Sequence, residues 1–210
     1  MTLQDEFGNI DIYLFDQLLR GRLRPGMRVL DAGCGGGRNL VYLLRQGYEA
    51  YGTDANPDAI GQVRQLAAAL APDVPLSRFR VEPVERSSFE DAAFDFVIGN
   101  AVLHFARDDE HFDLMVGEQW RVLKPGGVLF SRLASSIGLE SRVVPLGAQR
   151  FLLPDGSERY LVTEQRLLEL TQRLDGTLLD PLKTTIVQDQ RSMTTWVVGK
   201  GTGGAPDPDR

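Results

Sequence analysis

Short apolar runs alternate with amphipathic stretches along most of this chain. Ile10, Tyr13, Leu14, Phe15 and Leu18 fall largely on one face of a helix expected from Ile10 to Arg20. Asn9 is placed as its N-cap, Asp11 lies in its first turn, and Gly21 ends it. After Arg24-Pro25-Gly26 a strand is expected from about Arg28 to Asp31. A helix follows to about Gln46, closed by Gly47, and a second strand runs from Glu49 to Thr53. Asn56-Pro57-Asp58 opens a helix that an alanine-rich run carries to Leu70. Ser77 to Glu82 reads as a third strand. The continuous apolar run Phe94 to Gly99, followed by Asn100, reads as a buried central strand. Helical signals return from Asp109 to Leu123. Lys124-Pro125-Gly126-Gly127 makes a sharp turn before a fifth strand from Val128 to Leu133. Strand and helix alternating in this way predict a mostly parallel sheet with helices on both faces.

The alternation then breaks. Residues 134–162 carry no long helical period, and Pro154-Asp155-Gly156-Ser157 separates two short β-like runs, so a small inserted hairpin is expected there. Thr163 caps a further helix through Leu174, stopped by Asp175-Gly176. Two β-rich runs, about Thr177 to Asp189 and Met193 to Lys200, are close enough to pair antiparallel. The expected organisation is one domain over residues 1–200, with 1–24 as an N-terminal helix or lid and 134–162 as a substrate-side insert. Residues 201–210, rich in Gly, Pro and Asp, are expected to form a disordered tail.

At 210 residues the chain can bury a sizeable core as a single domain. Its formal charge of −6 argues against a nucleic-acid partner. A single cysteine leaves no internal disulfide and no cysteine-based zinc site, and no metal is expected. The N-terminus lacks the pattern of a secretory signal, and no apolar run approaches the roughly 20 residues that span a bilayer. A cytoplasmic protein without membrane contact is the expectation; oligomeric state is not readable.

Chemistry concentrates in Asp31-Ala32-Gly33-Cys34-Gly35-Gly36-Gly37-Arg38-Asn39, between the first strand and the next helix. Glycines at such a turn let backbone approach a ligand more closely than any Cβ allows. A second acid, Asp54, ends the following strand after Tyr51-Gly52-Thr53. A strand, a glycine turn, a helix and a second acid-tipped strand make half of a nucleotide-binding α/β fold.

Four marks, in this order and spacing, resemble the class I S-adenosylmethionine-dependent methyltransferases over about Met27 to Lys200. They are Val29 to Gly37, Gly52-Thr53-Asp54, Phe94 to Ile98, and Leu123-Lys124-Pro125-Gly126-Gly127. Arg38-Asn39 and the closely spaced final strands resemble the small-molecule and tellurite-resistance-type members. The resemblance implies a Rossmann-like α/β fold, its seven-stranded sheet mostly parallel with an antiparallel last strand. It implies S-adenosylmethionine as cofactor, with methyl transfer to a small-molecule acceptor entering between the first helix and residues 134–162.

Carried onto this chain, Asp31, Ala32, Gly33, Cys34, Gly35, Gly37 and Asn39 would hold the methionine moiety. Asp54 would take the ribose hydroxyls, with Ala55 and Asn56 along the adenine and ribose edge. Glu82 would take the adenine amino group and Val84 would supply a backbone N–H, since Pro83 has none. Asn100 would stand at the methionine end or face the acceptor. His104 is a candidate general base or a packing residue. Arg191 could reach the active-site rim. Arg132, Arg142, Arg150 and Arg159 could bind an anionic acceptor or be surface charge. Tyr13 and Phe15 stand as either core or cofactor cover. Two alternatives stay open: an NAD(P)-dependent oxidoreductase, which also uses a glycine turn and an acid, and a non-catalytic module that binds S-adenosylmethionine.

Overall fold

A computed structural model describes residues 2–202; of the expected tail, residues 203–210 lie outside the described residues. The chain opens with a short helix α1 (Leu3–Phe7), capped reciprocally by Thr2 and Asp5, and a second helix α2 (Ile12–Leu19). The helix expected from Ile10 begins two residues later. Asp11, not Asn9, is its N-cap, accepting the Tyr13 N–H at 2.9 Å. The cause lies elsewhere in the chain: the Asp11 N–H is held by Asn39 Oδ1 at 3.2 Å, which keeps residue 11 outside the helix.

Next come β1 (Arg28–Ala32), α3 (Leu40–Arg45), β2 (Glu49–Asp54), α4 (Pro57–Leu70), β3 (Phe79–Val81), β4 (Phe94–Asn100) and α5 (Asp109–Val122). Asn56 caps α4 with Pro57 at the first helical position, where its missing N–H costs nothing. Then follow β5 (Leu123–Ala134), the small strands β6 (Val144–Gly147), β7 (Arg150–Leu152) and β8 (Glu158–Tyr160), α6 (Glu164–Arg173), β9 (Gly176–Leu178), β10 (Lys183–Val187) and β11 (Arg191–Lys200).

The main sheet runs β10-β11-β5-β4-β1-β2-β3, parallel from β3 through β5, with β11 antiparallel to both neighbours. One strand is added to the expected seven. The edge beside β11 comes in two pieces, β9 and β10, parted at Asp180-Pro181, where proline cannot donate to the ladder. Strand neighbours project to opposite faces. Leu30, Val97, Leu129 and Trp196 join α5 and α6 in one apolar cluster; Val29, Ile98, Phe130 and Val197 join α2, α3 and α4 in the other. The turn Lys124 to Gly127 survives as a bulge inside β5, so that Leu123 pairs with Phe94 and Val128 with Phe96. Lys124 Nζ reaches Asp95 Oδ1 at 2.6 Å, and Asp95 also accepts the Arg28 N–H at 2.8 Å. This network therefore fixes the amino ends of β1 and β4, away from the glycine turn.

The expected hairpin is present as β7 and β8, and β6 adds a third strand that Pro145 had masked in the sequence. Tyr160 moors the insert: its ring stacks on Phe112 at 4.7 Å and its hydroxyl donates to Asp109. Among the described residues no helix is long and apolar enough to cross a membrane. Because β1 lies between β2 and β4, the chain leaves the centre of the sheet in opposite directions. A crevice opens at the carboxyl ends of β1 and β4, the place where open α/β sheets bind ligands.

Candidate functional site

The glycine turn forms the floor of that crevice. Gly33 and Cys34 both donate their N–H to the Thr53 carbonyl, at 2.8 and 2.9 Å, which folds the turn back over β2. Gly33 has φ +76°, and a Cβ there would lie 2.3 Å from Val102 Cγ2, so only glycine fits. The Cys34 sulfur packs over Gly52, where an added Cβ would come within 3.0 Å. Burial pushes the thiol far above its ordinary range, so Cys34 is a packing group rather than a nucleophile.

A cavity of about 650 Å³ lies above this turn, lined by Gly33 to Asn39, by Gly8 and Asn9, by Leu66, and by Asn100 and Ala101. Asn100 is 6% exposed, and neither its Nδ2 nor its Oδ1 has a hydrogen-bond partner. A buried amide left unpaired on a cavity wall suits a polar ligand. Asn39 is buried and its Oδ1 is taken by Asp11. Asp31 lies behind the turn, fully buried, and neither of its carboxylate oxygens is hydrogen-bonded. Burial raises its carboxyl to about 7; Asn39 and Arg38 favour the charged form but do not outweigh it. Ala32 belongs to the core.

Asp54, at the end of β2, is half-buried and accepts the Gly35 N–H and the Asn56 N–H, both at 2.9 Å. These bonds aim the carboxylate along the edge of the turn and leave lone pairs free. Ala55 and Asn56 are exposed beside it. Glu82 is engaged within its own loop, accepting the Ser88 N–H at 3.0 Å and the Ser88 hydroxyl. Val84 is buried in the apolar cluster. The cavity wall therefore gathers Asn39, Asn100 and the glycines; Asp54 lies outside that lining, joined to it through the Gly35 N–H, and Asp31 stays buried beneath.

A second cavity, about 230 Å³, adjoins the first, with Ala101 on the wall of both. His104 lines it, on a single turn of 3₁₀ helix over Leu103–Phe105. His104 Nδ1 accepts the Ala134 N–H at 3.3 Å, so in the neutral ring Nε2 carries the proton. Burial lowers its pKa to about 4, with Arg159, Arg191 and Arg132 adding to the effect. Arg132, Arg159 and Arg191 all line this cavity; Arg142 and Arg150 do not, pairing instead with Asp189 and Glu158. The wall facing the insert is the start of β11 rather than the N-terminal helix. Tyr13 and Phe15 line neither cavity. Tyr13 lies under the Arg132 guanidinium and bonds Thr185, and Phe15 packs edge-on to Phe7.

These features match known proteins. The methyltransferase-domain family matches residues 30–131. An uncharacterised methyltransferase of Synechocystis sp. is 34% identical over 106 residues, 50% of this chain and 46% of the relative. A ubiquinone biosynthesis O-methyltransferase of Brucella ovis is 30% identical over 168 residues, 76% of this chain and 64% of the relative. An S-adenosylmethionine-dependent methyltransferase structure from Methanosarcina mazei superposes with a TM-score of 0.69 at 24% identity, covering 88% of this chain and 97% of that one.

The chain belongs to the class I S-adenosylmethionine-dependent methyltransferases. It spans about half to two-thirds of the length of the curated relatives it matches. The family match sets the NAD(P)-dependent oxidoreductase alternative aside. The residues fit the cofactor of this family: a glycine-rich turn, an unpaired buried amide at Asn100, and a half-buried acid at Asp54. Sequence reasoning passed over Gly8, Asn9, Leu66 and Ala101. Ala101 has φ +59°, and an alanine in that conformation carries no sequence signal.

Proposed function

We propose that this methyltransferase methylates a small molecule held in the smaller cavity, using S-adenosylmethionine seated over the glycine turn. The observation that carries this reading is the meeting of the two cavities at Ala101. When bound, the cofactor supplies an electrophilic methyl on a sulfonium centre. Asp54 would accept the ribose hydroxyls, with Ala55 and Asn56 along that edge. Asn39, Asn100 and the backbone of Gly33 to Gly37 would hold the methionine end, with the Asp31 charge favouring its ammonium from beneath. Glu82 would have to release Ser88 to meet the adenine amino group, so the Val81 to Val84 backbone is the better contact.

In-line transfer needs alignment and exclusion of water more than acid–base chemistry, and orientation alone can supply roughly 7–11 kcal/mol. His104 fits that requirement as a donor. Its Nδ1 lone pair is already bonded, so it orients the acceptor through Nε2–H rather than removing a proton. A net charge of −6, a small acceptor cavity and the ubiquinone biosynthesis role named for the Brucella relative favour a small molecule over nucleic acid. The N-terminal helices would close the cofactor cavity through Gly8 and Asn9, and a cytoplasmic setting fits this chemistry. Calorimetric titration with S-adenosylhomocysteine tests the proposal. Saturable binding that weakens in Asp54→Ala and Asn100→Ala is expected; no binding to the wild-type chain would overturn it.

A further inference from the structure

We infer that the smaller cavity is built for an acidic acceptor, a small molecule whose carboxylate or phosphate is gripped by Arg159 and Arg191 beside the His104 Nε2–H. This rests on the reading of that cavity as the acceptor site. Among the described residues no acidic side chain lines the cavity, although the chain as a whole carries a charge of −6. Its hydrogen-bonding groups are almost all donors, and most are already engaged. Arg132 is paired with Asp11 at 3.2 Å, and Arg191 with Asp155. The Ser157 hydroxyl donates to Asp155 and the Ser192 hydroxyl to the Ile137 carbonyl.

Arg159 differs from its neighbours. Among the described residues it forms no ion pair. It donates only to the Glu158 carbonyl, at 2.7 Å, and its guanidinium lies 5.0 Å over the Phe105 ring. That ring steadies the planar fork while leaving most of its N–H groups for a ligand. His104 adds a further donor, since its Nε2–H has no partner among the described residues. A group that only accepts, with two or three oxygens, completes this set; a ligand ammonium would meet cations and no carboxylate. The volume, about 230 Å³, falls below the roughly 300–1,000 Å³ of pockets for drug-sized ligands, which favours a compact metabolite. Leu153, Ala134 and Met193 provide an apolar side for its carbon skeleton.

The test is titration of the full chain, saturated with S-adenosylhomocysteine, against benzoate, phenyl phosphate and the neutral benzamide, read by ligand-observed NMR. At least one anion should bind tenfold or more tighter than benzamide, the better anion distinguishing a carboxylate from a phosphate site. Arg159→Gln and Arg191→Gln should each weaken that anion at least tenfold and leave benzamide and S-adenosylhomocysteine unaffected. Arg142→Gln, outside the cavity, should change nothing. Benzamide binding as well as both anions, neither anion binding, or both cavity variants binding like wild type would overturn the inference. Binding of S-adenosylhomocysteine is measured separately, so a loss there would strike the proposed function instead.

Discussion

Asp31 offers a quantitative test, because a fully buried carboxylate without a hydrogen-bond partner must cost stability when ionised. Its carboxyl moves from 3.8 in the unfolded chain to about 7 in the folded one, chiefly through burial. At about 1.36 kcal/mol per pKa unit, the ionised folded state is disfavoured by about 4 kcal/mol. The sign follows from proton uptake on folding. Below pH 3.8 both states are protonated and nothing is lost; stability falls as pH rises toward 7, and levels off above it. Asp31→Asn removes the titration while keeping size and polarity. The stability difference between variant and wild type should therefore grow in favour of the variant by about 3 kcal/mol between pH 5 and pH 8. Urea denaturation of both proteins at each pH reads this directly, since titrating groups not coupled to Asp31 cancel in the difference. Cofactor binding should move the opposite way, with S-adenosylhomocysteine bound more weakly by Asp31→Asn at pH 8. A stability difference that stays constant with pH would refute the reasoning.

Other consequences can be checked with single variants. Gly33→Ala combines a left-handed backbone with a clash against Val102 and should destabilise by about 2–5 kcal/mol; adding Val102→Ala should recover about 1–3 kcal/mol in a double-mutant cycle, and simple additivity would deny the contact. His104, held near 4 by burial and by Arg159, should lose stability as pH falls from about 6.5 toward 4. By NMR the ring should stay neutral, with its single proton on Nε2, above about pH 5, and Arg159→Gln should raise the midpoint. Asp180, 7% exposed, accepts from Gln17 and pairs with Arg20 and Arg22. Asp180→Ala should cost about 3 kcal/mol in thermal or urea unfolding, and a loss under 0.5 kcal/mol would show that this network does not dock the N-terminal helix.

What the sequence revealed and what it hid divide along local and non-local lines. The turn from Asp31 to Gly37 and the Asn56-Pro57 start of α4 were legible because each answers to a backbone requirement met within a few residues. The hairpin around Pro154 to Ser157 was legible for the same reason. The start of α2 was not, since Asn39, 28 positions away, decides it. Ser88 captures Glu82 across a loop whose path no periodicity records. The three arginines meet only because the insert folds over the start of β11. Arg132, Arg142, Arg150 and Arg159 were candidates on equal terms, and nothing local separates the first and last from Arg142 and Arg150, which lie outside the cavity.

Ala101 carries a wider consequence. Its left-handed backbone, pinned by an N–H bond to the Arg132 carbonyl at 2.8 Å, sets one alanine on the wall of both chambers. Where the two chambers meet, the wall is thus set in part by main chain, whose position side-chain drift does not alter. A bulkier residue there would fill space where the chambers meet while leaving the other lining residues of each in place. Reach between the chambers and hold within them can therefore change independently, so a lineage could alter which acceptor it serves without rebuilding its cofactor seat.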